Sequence, residues 1–169
     1  QLAPQLVAFA GVRDGDRVLD VGTGTGALAA ALEKAGPAVQ VVGIDPSEGF
    51  IGFARKNSRS PQLSFEVGDA QALRFPDASF DACLLAVSAQ YLVRPIEVFA
   101  SIARVLRPNG ILIVSYSNRL FPTKAVELWQ RIGMEDRGRL VSIYCWEATG
   151  FRDVEAREHR VERVREPLQ

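Results

Sequence analysis

RVLDVGTGTG, residues 17–26, is the stretch on which the reading of this chain turns. Val18 and Leu19 open a short apolar run that continues through Asp20 and Val21, and glycines then fall at 22, 24 and 26. A short apolar run bounded by turn residues predicts a buried strand, and the glycines predict a tight strand-to-helix turn. The helix expected next covers residues 25–36, with Leu28, Ala31 and Leu32 on one face. Glycine removes the side chain that would keep a ligand away from the backbone. The amides that open the following helix then face that ligand with a partial positive charge. A small ligand with polar or anionic groups is therefore expected across this turn. The alternative is a βα turn that needs glycine for its geometry alone.

Outward from this turn, strand-like and helix-like segments alternate. Residues 1–11 predict a short helix with Leu2, Leu6, Val7 and Phe9 apolar, and residues 12–16 a polar turn. AVQVVGID (38–45) predicts a second buried strand ending at Asp45. PSEGF then opens a helix, where Pro46 suits the first turn because its missing N–H costs nothing there. That helix is expected to turn Phe50, Ile51 and Ala54 inward and Arg55, Lys56 and Arg59 outward. LSFEVGD (63–69) and the almost wholly apolar FDACLLAV (80–87) predict the third and fourth strands. Residues 96–107 form an amphipathic pattern with Phe99, Ile102, Ala103 and Leu106 at helical spacing, closed by RPNG. GILIVSYS (110–117) predicts the fifth strand. Two further helices are expected over 122–132, with Val126, Trp129 and Ile132 on one face, and over 136–150, with Leu140, Ile143 and Tyr144 inward. Residues 152–159 suggest a sixth strand, and the charged stretch 161–169 is unassigned.

Alternating strands and helices predict an α/β fold, a doubly wound, mostly parallel sheet with helices on both faces. Nothing divides the chain, so residues 1–169 are read as a single domain. Ligands of such sheets bind at the carboxyl ends of the strands, where the strand order reverses. Those ends carry Asp20 and Gly22, then Asp45, then Asp69, then Ala86 to Ser88, then Ser117 and Asn118. Three carboxylates at three successive strand ends converge on one edge.

Composition narrows the function classes. Lys plus Arg and Asp plus Glu both number 20, so the formal net charge is zero. That argues against broad electrostatic capture of nucleic acid. Cys83 and Cys145 sit in apolar surroundings with no CxxC pair or metal-ligand spacing, as expected for reduced core cysteines. No apolar run reaches the roughly 20 residues of a bilayer span. QLAPQLVAFAG lacks the charged start and cleavage site of a signal peptide. A soluble, cytoplasmic domain without a metal site is the expectation.

VLDVGTGTG, then VVGIDPS, then GDAQALRFPDASFD, then RVLRPNGILIV resembles a class I S-adenosylmethionine-dependent methyltransferase, in family order from Val18 to Val114. The branch it is most similar to is the small-molecule group that includes ubiquinone- and menaquinone-biosynthesis methyltransferases. SNRLFPTKAVELW also resembles a subset of uncharacterised members. The resemblance implies S-adenosylmethionine as cofactor and S-adenosylhomocysteine as product. It implies a cofactor site at Asp20, Gly22, Thr23, Gly24, Asp45, Pro46, Asp69, Ala70 and Ala86. Gly22 and Gly24 would admit the methionyl part, and Asp20 would steady the turn and the ammonium. Asp45 would accept both ribose hydroxyls. Asp69 and the Ala70 amide would read the adenine edge, with Ile44, Pro46 and Leu73 against its faces. Ala86 would line the methyl-donor end. Gln90, Tyr91, Ser117, Asn118 and Arg119 are the candidates for substrate contact.

The sulfonium methyl of that cofactor is already electrophilic, so the protein has mainly to align a nucleophile and exclude water. Alignment alone can supply about 7–11 kcal/mol. No general base stands out, and His159, the only histidine, lies in a charged stretch. AVSAQYL lacks the Asn/Asp-Pro-Pro-aromatic motif used on amino groups of bases and glutamine. The short segment before the first strand and the missing last antiparallel strand suggest an incomplete N-terminal lid, as in either a trimmed piece of a longer protein or a domain with an open pocket. Two rivals remain. An NAD-dependent oxidoreductase is favoured by Gly22, Gly24, Ala27 and Asp45, but the acid at 20, the GDA at 68–70 and the lack of a Tyr-x-x-x-Lys pair oppose it. A cofactor-binding module without turnover, regulatory or a partner subunit, is the other.

Overall fold

The computed structural model describes residues 3–117, 123 and 125–156. At its centre lie β1 (Arg17–Val21), β2 (Gln40–Asp45), β3 (Leu63–Val67), β4 (Phe80–Ala86) and β5 (Leu106–Ser115). They form one parallel sheet in the order β3-β2-β1-β4-β5. Around it pack α1 (Ala3–Ala10), α2 (Ala27–Leu32), α3 (Glu48–Asn57), α4 (Pro95–Val105), α5 (Glu127–Arg131) and α6 (Met134–Glu147). The chain builds outward from β1 to β3 and then returns to add β4 on the other side of β1. The order therefore reverses between β1 and β4, which puts the crevice at their carboxyl ends.

Each central strand feeds two cores, because successive side chains leave opposite faces of a sheet. Val18, Val41, Leu84 and Ile113 pack with Leu6, Leu28, Leu32 and Ile51 from α1, α2 and α3. Leu19, Val42, Cys83 and Leu85 pack with Val98, Phe99 and Ile102 of α4 and Val141 and Tyr144 of α6. Phe99 meets Tyr144 edge to face with ring centroids 5.7 Å apart, a favoured aromatic geometry. Cys83 and Cys145 are buried and unpaired, as expected, and burial pushes both thiols up.

Several element edges differ from the sequence reading. The Ser47 side chain accepts from the Phe50 amide and caps α3, which buries Ile51 and Ala54 but leaves Phe50 exposed. α4 stops at Val105. Leu106, expected on its apolar face, has an extended backbone and pairs with Phe80, so β5 begins four residues before Gly110. Arg107, expected to end the helix, instead reaches Asp81 at 2.6 Å across the strand pair. The helix expected over 122–132 contains only α5 among the described residues. α6 buries Arg137, Val141, Tyr144 and Cys145, which turns Ile143 outward rather than inward and leaves Leu140 half-buried. Residues 152–156 form no strand; the rest of that segment, with His159, and residues 161–169 lie outside the described residues. Among the described residues no helix is long and apolar enough to cross a membrane.

Candidate functional site

The turn after β1 is tied to the end of β2. The amides of Gly22 and Thr23 both donate to the Ile44 carbonyl at 2.9 Å, and the Gly26 amide donates to the Thr23 carbonyl. Gly22 has a φ of +72°, and a Cβ there would stand 3.0 Å from the Ser88 Cβ. The missing side chain thus lets the segment after β4 close onto this turn, where the Ser88 hydroxyl donates to the Val21 carbonyl at 3.3 Å. Gly26, with φ +83°, lies against the Phe65 ring. At Gly24 no atom comes within 4 Å of the Cβ position, so this part of the turn faces open space.

Beneath the turn, Asp20 is buried and accepts from the Thr23 hydroxyl at 2.6 Å. Burial raises its pKa from 3.8 to about 6; Thr23 and the Ala29 amide pull it down, and the charge of Asp45 pushes it up. A carboxyl raised in this way holds more proton in the folded than in the unfolded state between those two values. The folded state therefore loses stability as pH rises from about 4 to about 6. At 1.36 kcal/mol per pK unit the loss reaches about 3 kcal/mol. Asp81, lowered by its own bonds to the Arg17 amide and Arg107, acts only below its ordinary value of 3.8. Urea unfolding of the ligand-free protein is expected to show about 2 kcal/mol of this loss on going from about pH 4.5 to about pH 7, and Asp20→Asn to remove it. An equal decline in Asp20→Asn would assign it to other groups.

Asp45 joins two loops. One carboxylate oxygen accepts from the Gly24 amide at 3.0 Å and the other from the Ser47 amide at 2.9 Å. Its main-chain carbonyl accepts from Gly68 at 3.1 Å, which brings the end of β3 alongside. There Asp69 is exposed, with its carboxylate accepting from the Gln71 amide at 2.9 Å, and Ala70 follows in a short 3-10 turn. Pro46 is exposed beside them. Ile44 and Leu73, expected against a ligand's flat faces, are buried in the core instead.

Ala86, at the end of β4, lines an apolar cleft of about 570 Å3 together with Leu6 of α1 and Leu28 and Ala31 of α2. Val87 follows with a φ of +53°, a strained conformation for a β-branched residue. Its amide is held by the Ser115 carbonyl at 2.8 Å. Gln90 is buried, its carbonyl accepts from the Val126 amide, and neither end of its carboxamide has a partner. Tyr91 and Ser117 are half-buried at the same edge. Asn118 and Arg119 lie outside the described residues.

A model of the methyltransferase domain matches residues 19–114, more than half of the chain. The chain belongs to this methyltransferase domain family. A demethylmenaquinone methyltransferase of Deinococcus radiodurans is 42% identical over 100 residues, which cover 58% of this chain and 42% of that protein. A ubiquinone/menaquinone biosynthesis C-methyltransferase of Pseudomonas entomophila is 33% identical over 145 residues, covering 80% of this chain and 56% of that protein. The chain spans about half the length of the curated relatives it matches. Among solved structures, an S-adenosylmethionine-dependent methyltransferase from Mesorhizobium loti is similar with a TM-score of 0.61 at 27% identity, covering 67% of this chain and 52% of that one. S-adenosylmethionine is the cofactor that this family and these structures imply.

The residues of this methyltransferase domain fit that cofactor. Each Asp45 oxygen holds one main-chain donor, which leaves each a lone pair for a hydroxyl. The open space at Gly24 and the exposed carboxylate of Asp69 flank it on either side. Hydrogen bonds connect Asp20, Gly22, Thr23, Gly24 and Asp45 into one unit. Sequence reasoning missed Ser88 as the residue seated on Gly22, although the glycine itself was the signal. It also missed Arg137, which nothing in the sequence separates from Arg131 or Arg139.

Proposed function

We propose that residues 22–24, 45–46 and 69–70 bind S-adenosylmethionine, and that its methyl group passes to a small-molecule acceptor held at the ends of β4 and β5. The observation that carries this reading is the Asp45 carboxylate, fixed by the Gly24 and Ser47 amides while keeping acceptor capacity toward the crevice. When bound, the cofactor supplies an electrophilic methyl group on a sulfonium. Asp20 and Thr23 hold the turn in shape from beneath, Asp45 orients the ribose, and Asp69 with Ala70 orients the adenine. Ala86 lines the donor end, and Gln90, Tyr91, Ser117, Asn118 and Arg119 contact the acceptor. The names of the two relatives support a small-molecule acceptor. We read residues 1–169 as one domain acting in the cytoplasm on a small molecule, without nucleic acid.

A second reading, cofactor binding without turnover, is favoured by one observation. Among the described residues, no carboxylate or imidazole stands in residues 86–91 or 115–117 to act as base. Mass spectrometry separates the two. With S-adenosylmethionine and a panel of quinols, phenols and carboxylic acids, the first reading expects S-adenosylhomocysteine and, from at least one of them, a product heavier by one methylene group. Cofactor binding without S-adenosylhomocysteine from any quinol, phenol or acid offered favours the second.

A further inference from the structure

Arg137 opens α6 and is buried, with 7% of its surface exposed. One terminal nitrogen donates to the Ser117 carbonyl at 2.9 Å, just past the end of β5, and the other to the Trp129 carbonyl at 2.7 Å. Its Nε has no partner, and its guanidinium lies 5.8 Å from the Trp129 ring. Among the described residues no carboxylate pairs with it. The acids nearest in sequence are spent elsewhere: Glu127 pairs with Arg131, and Glu135 and Asp136 pair with Arg139. Among the described residues this buried cation is served by neutral carbonyls, the Met134 sulfur and a ring face, an arrangement that is costly to keep. A structural clamp across Ser117 and Trp129 needs donors but no charge.

Gln90 is the second anomaly. It is 1% exposed, and both the NH2 and the oxygen of its side-chain carboxamide lack hydrogen bonds. Buried polar groups are almost always paired, so each exception asks for an explanation. A chain of hydrogen bonds links the two residues: the Val126 amide donates to the Gln90 main-chain carbonyl, the Trp129 amide to the Val126 carbonyl, and the Arg137 guanidinium to the Trp129 carbonyl. Among the described residues, an unpaired carboxamide just past β4 is thus joined through the chain to a guanidinium that reaches the carbonyl of Ser117, just past β5, and has no carboxylate partner. Among the described residues no carboxylate or imidazole stands there to act as base, whereas a nucleophile that is already an anion needs none.

We propose that the methyl acceptor is a carboxylic acid reacting as its carboxylate, recognised by the Gln90 carboxamide and the Arg137 guanidinium. This inference rests on the methyl-transfer reading above and names its acceptor class. The carboxylate oxygen supplies the electron pair of the new C–O bond, and the C–S pair stays on sulfur. No proton moves, and the products are a methyl ester and a neutral thioether.

The test is calorimetric binding of octanoate and of octan-1-ol to the protein saturated with S-adenosylhomocysteine, with methyl octanoate formation from S-adenosylmethionine as a second readout. Octanoate is expected to bind about tenfold or more tighter than the alcohol and to yield the ester. Arg137→Met and Gln90→Glu are expected to weaken octanoate by about tenfold or more while leaving S-adenosylhomocysteine affinity unchanged. Arg137→Lys, which keeps the charge, should retain part of the octanoate affinity and guards against a folding defect in the Met variant. Equal binding of acid and alcohol, no binding of octanoate, or equal losses for both probes in Gln90→Glu would overturn the proposal. Failure of the wild type to bind S-adenosylhomocysteine would instead remove the methyl-transfer reading on which the proposal stands.

Discussion

Replacing Asp45 by alanine is expected to weaken S-adenosylmethionine binding by about tenfold or more, because charge-assisted hydrogen bonds contribute about 1.5–3 kcal/mol each. Two effects add. The ribose loses an acceptor for its hydroxyls, and the turn loses the carboxylate that holds the Gly24 amide at 3.0 Å. The Ser47 amide at 2.9 Å loses its partner too, at the entry to α3. The fold is expected to survive, because the five-stranded sheet and its two cores do not depend on this carboxylate. Asp45→Asn keeps one acceptor oxygen and should fall between wild type and Asp45→Ala. Titration calorimetry on both variants, with far-ultraviolet circular dichroism as the fold control, checks this. Unchanged affinity in Asp45→Ala would place the cofactor elsewhere.

Gly26→Ala is expected to destabilise the protein by about 2–5 kcal/mol, a large part of the about 5–15 kcal/mol that holds an ordinary domain together. The new methyl group would stand 2.9 Å from two atoms of the Phe65 ring and 3.3 Å from the Ala54 Cβ. The backbone there has φ +83°, which L side chains rarely adopt. Phe65 is itself buried beneath α3, so the ring has little room to withdraw. Gly24→Ala is the informative control. Its φ is +56° but nothing lies within 4 Å, so it carries backbone strain of about 1–2 kcal/mol and no clash. Gly24→Ala should therefore unfold closer to wild type in urea yet bind cofactor more weakly. Equal stability of the two variants would mean that the Phe65 contact does not govern the turn.

This pair of glycines illustrates what can be read from the sequence. The run 22–26 predicted a tight turn with a ligand-facing backbone, and the turn is present. Spacing alone could not separate the glycine that faces Ser88, the one that faces open space and the one that faces Phe65, because those neighbours come from β4 and β3. The five strands were legible because their apolar runs are short and bounded by Gly, Pro and Asp, and the convergence of Asp20, Asp45 and Asp69 followed from topology. The start of β5 was not legible. Leu106 satisfies the helical spacing of α4 and is also buried as a strand residue, and only pairing with Phe80 decides between them. Ile143 failed for a related reason, since burial of Arg137 at the start of α6 rotates the inward face away from it. A charged residue on a buried face contradicts the apolar pattern from which helix faces are read.

Calorimetric titration of the protein with S-adenosylmethionine, S-adenosylhomocysteine and NAD in parallel tests the central claim most directly. Micromolar binding of the first two and none of NAD is the expected result. Binding of NAD alone, or of none of the three, would contradict it.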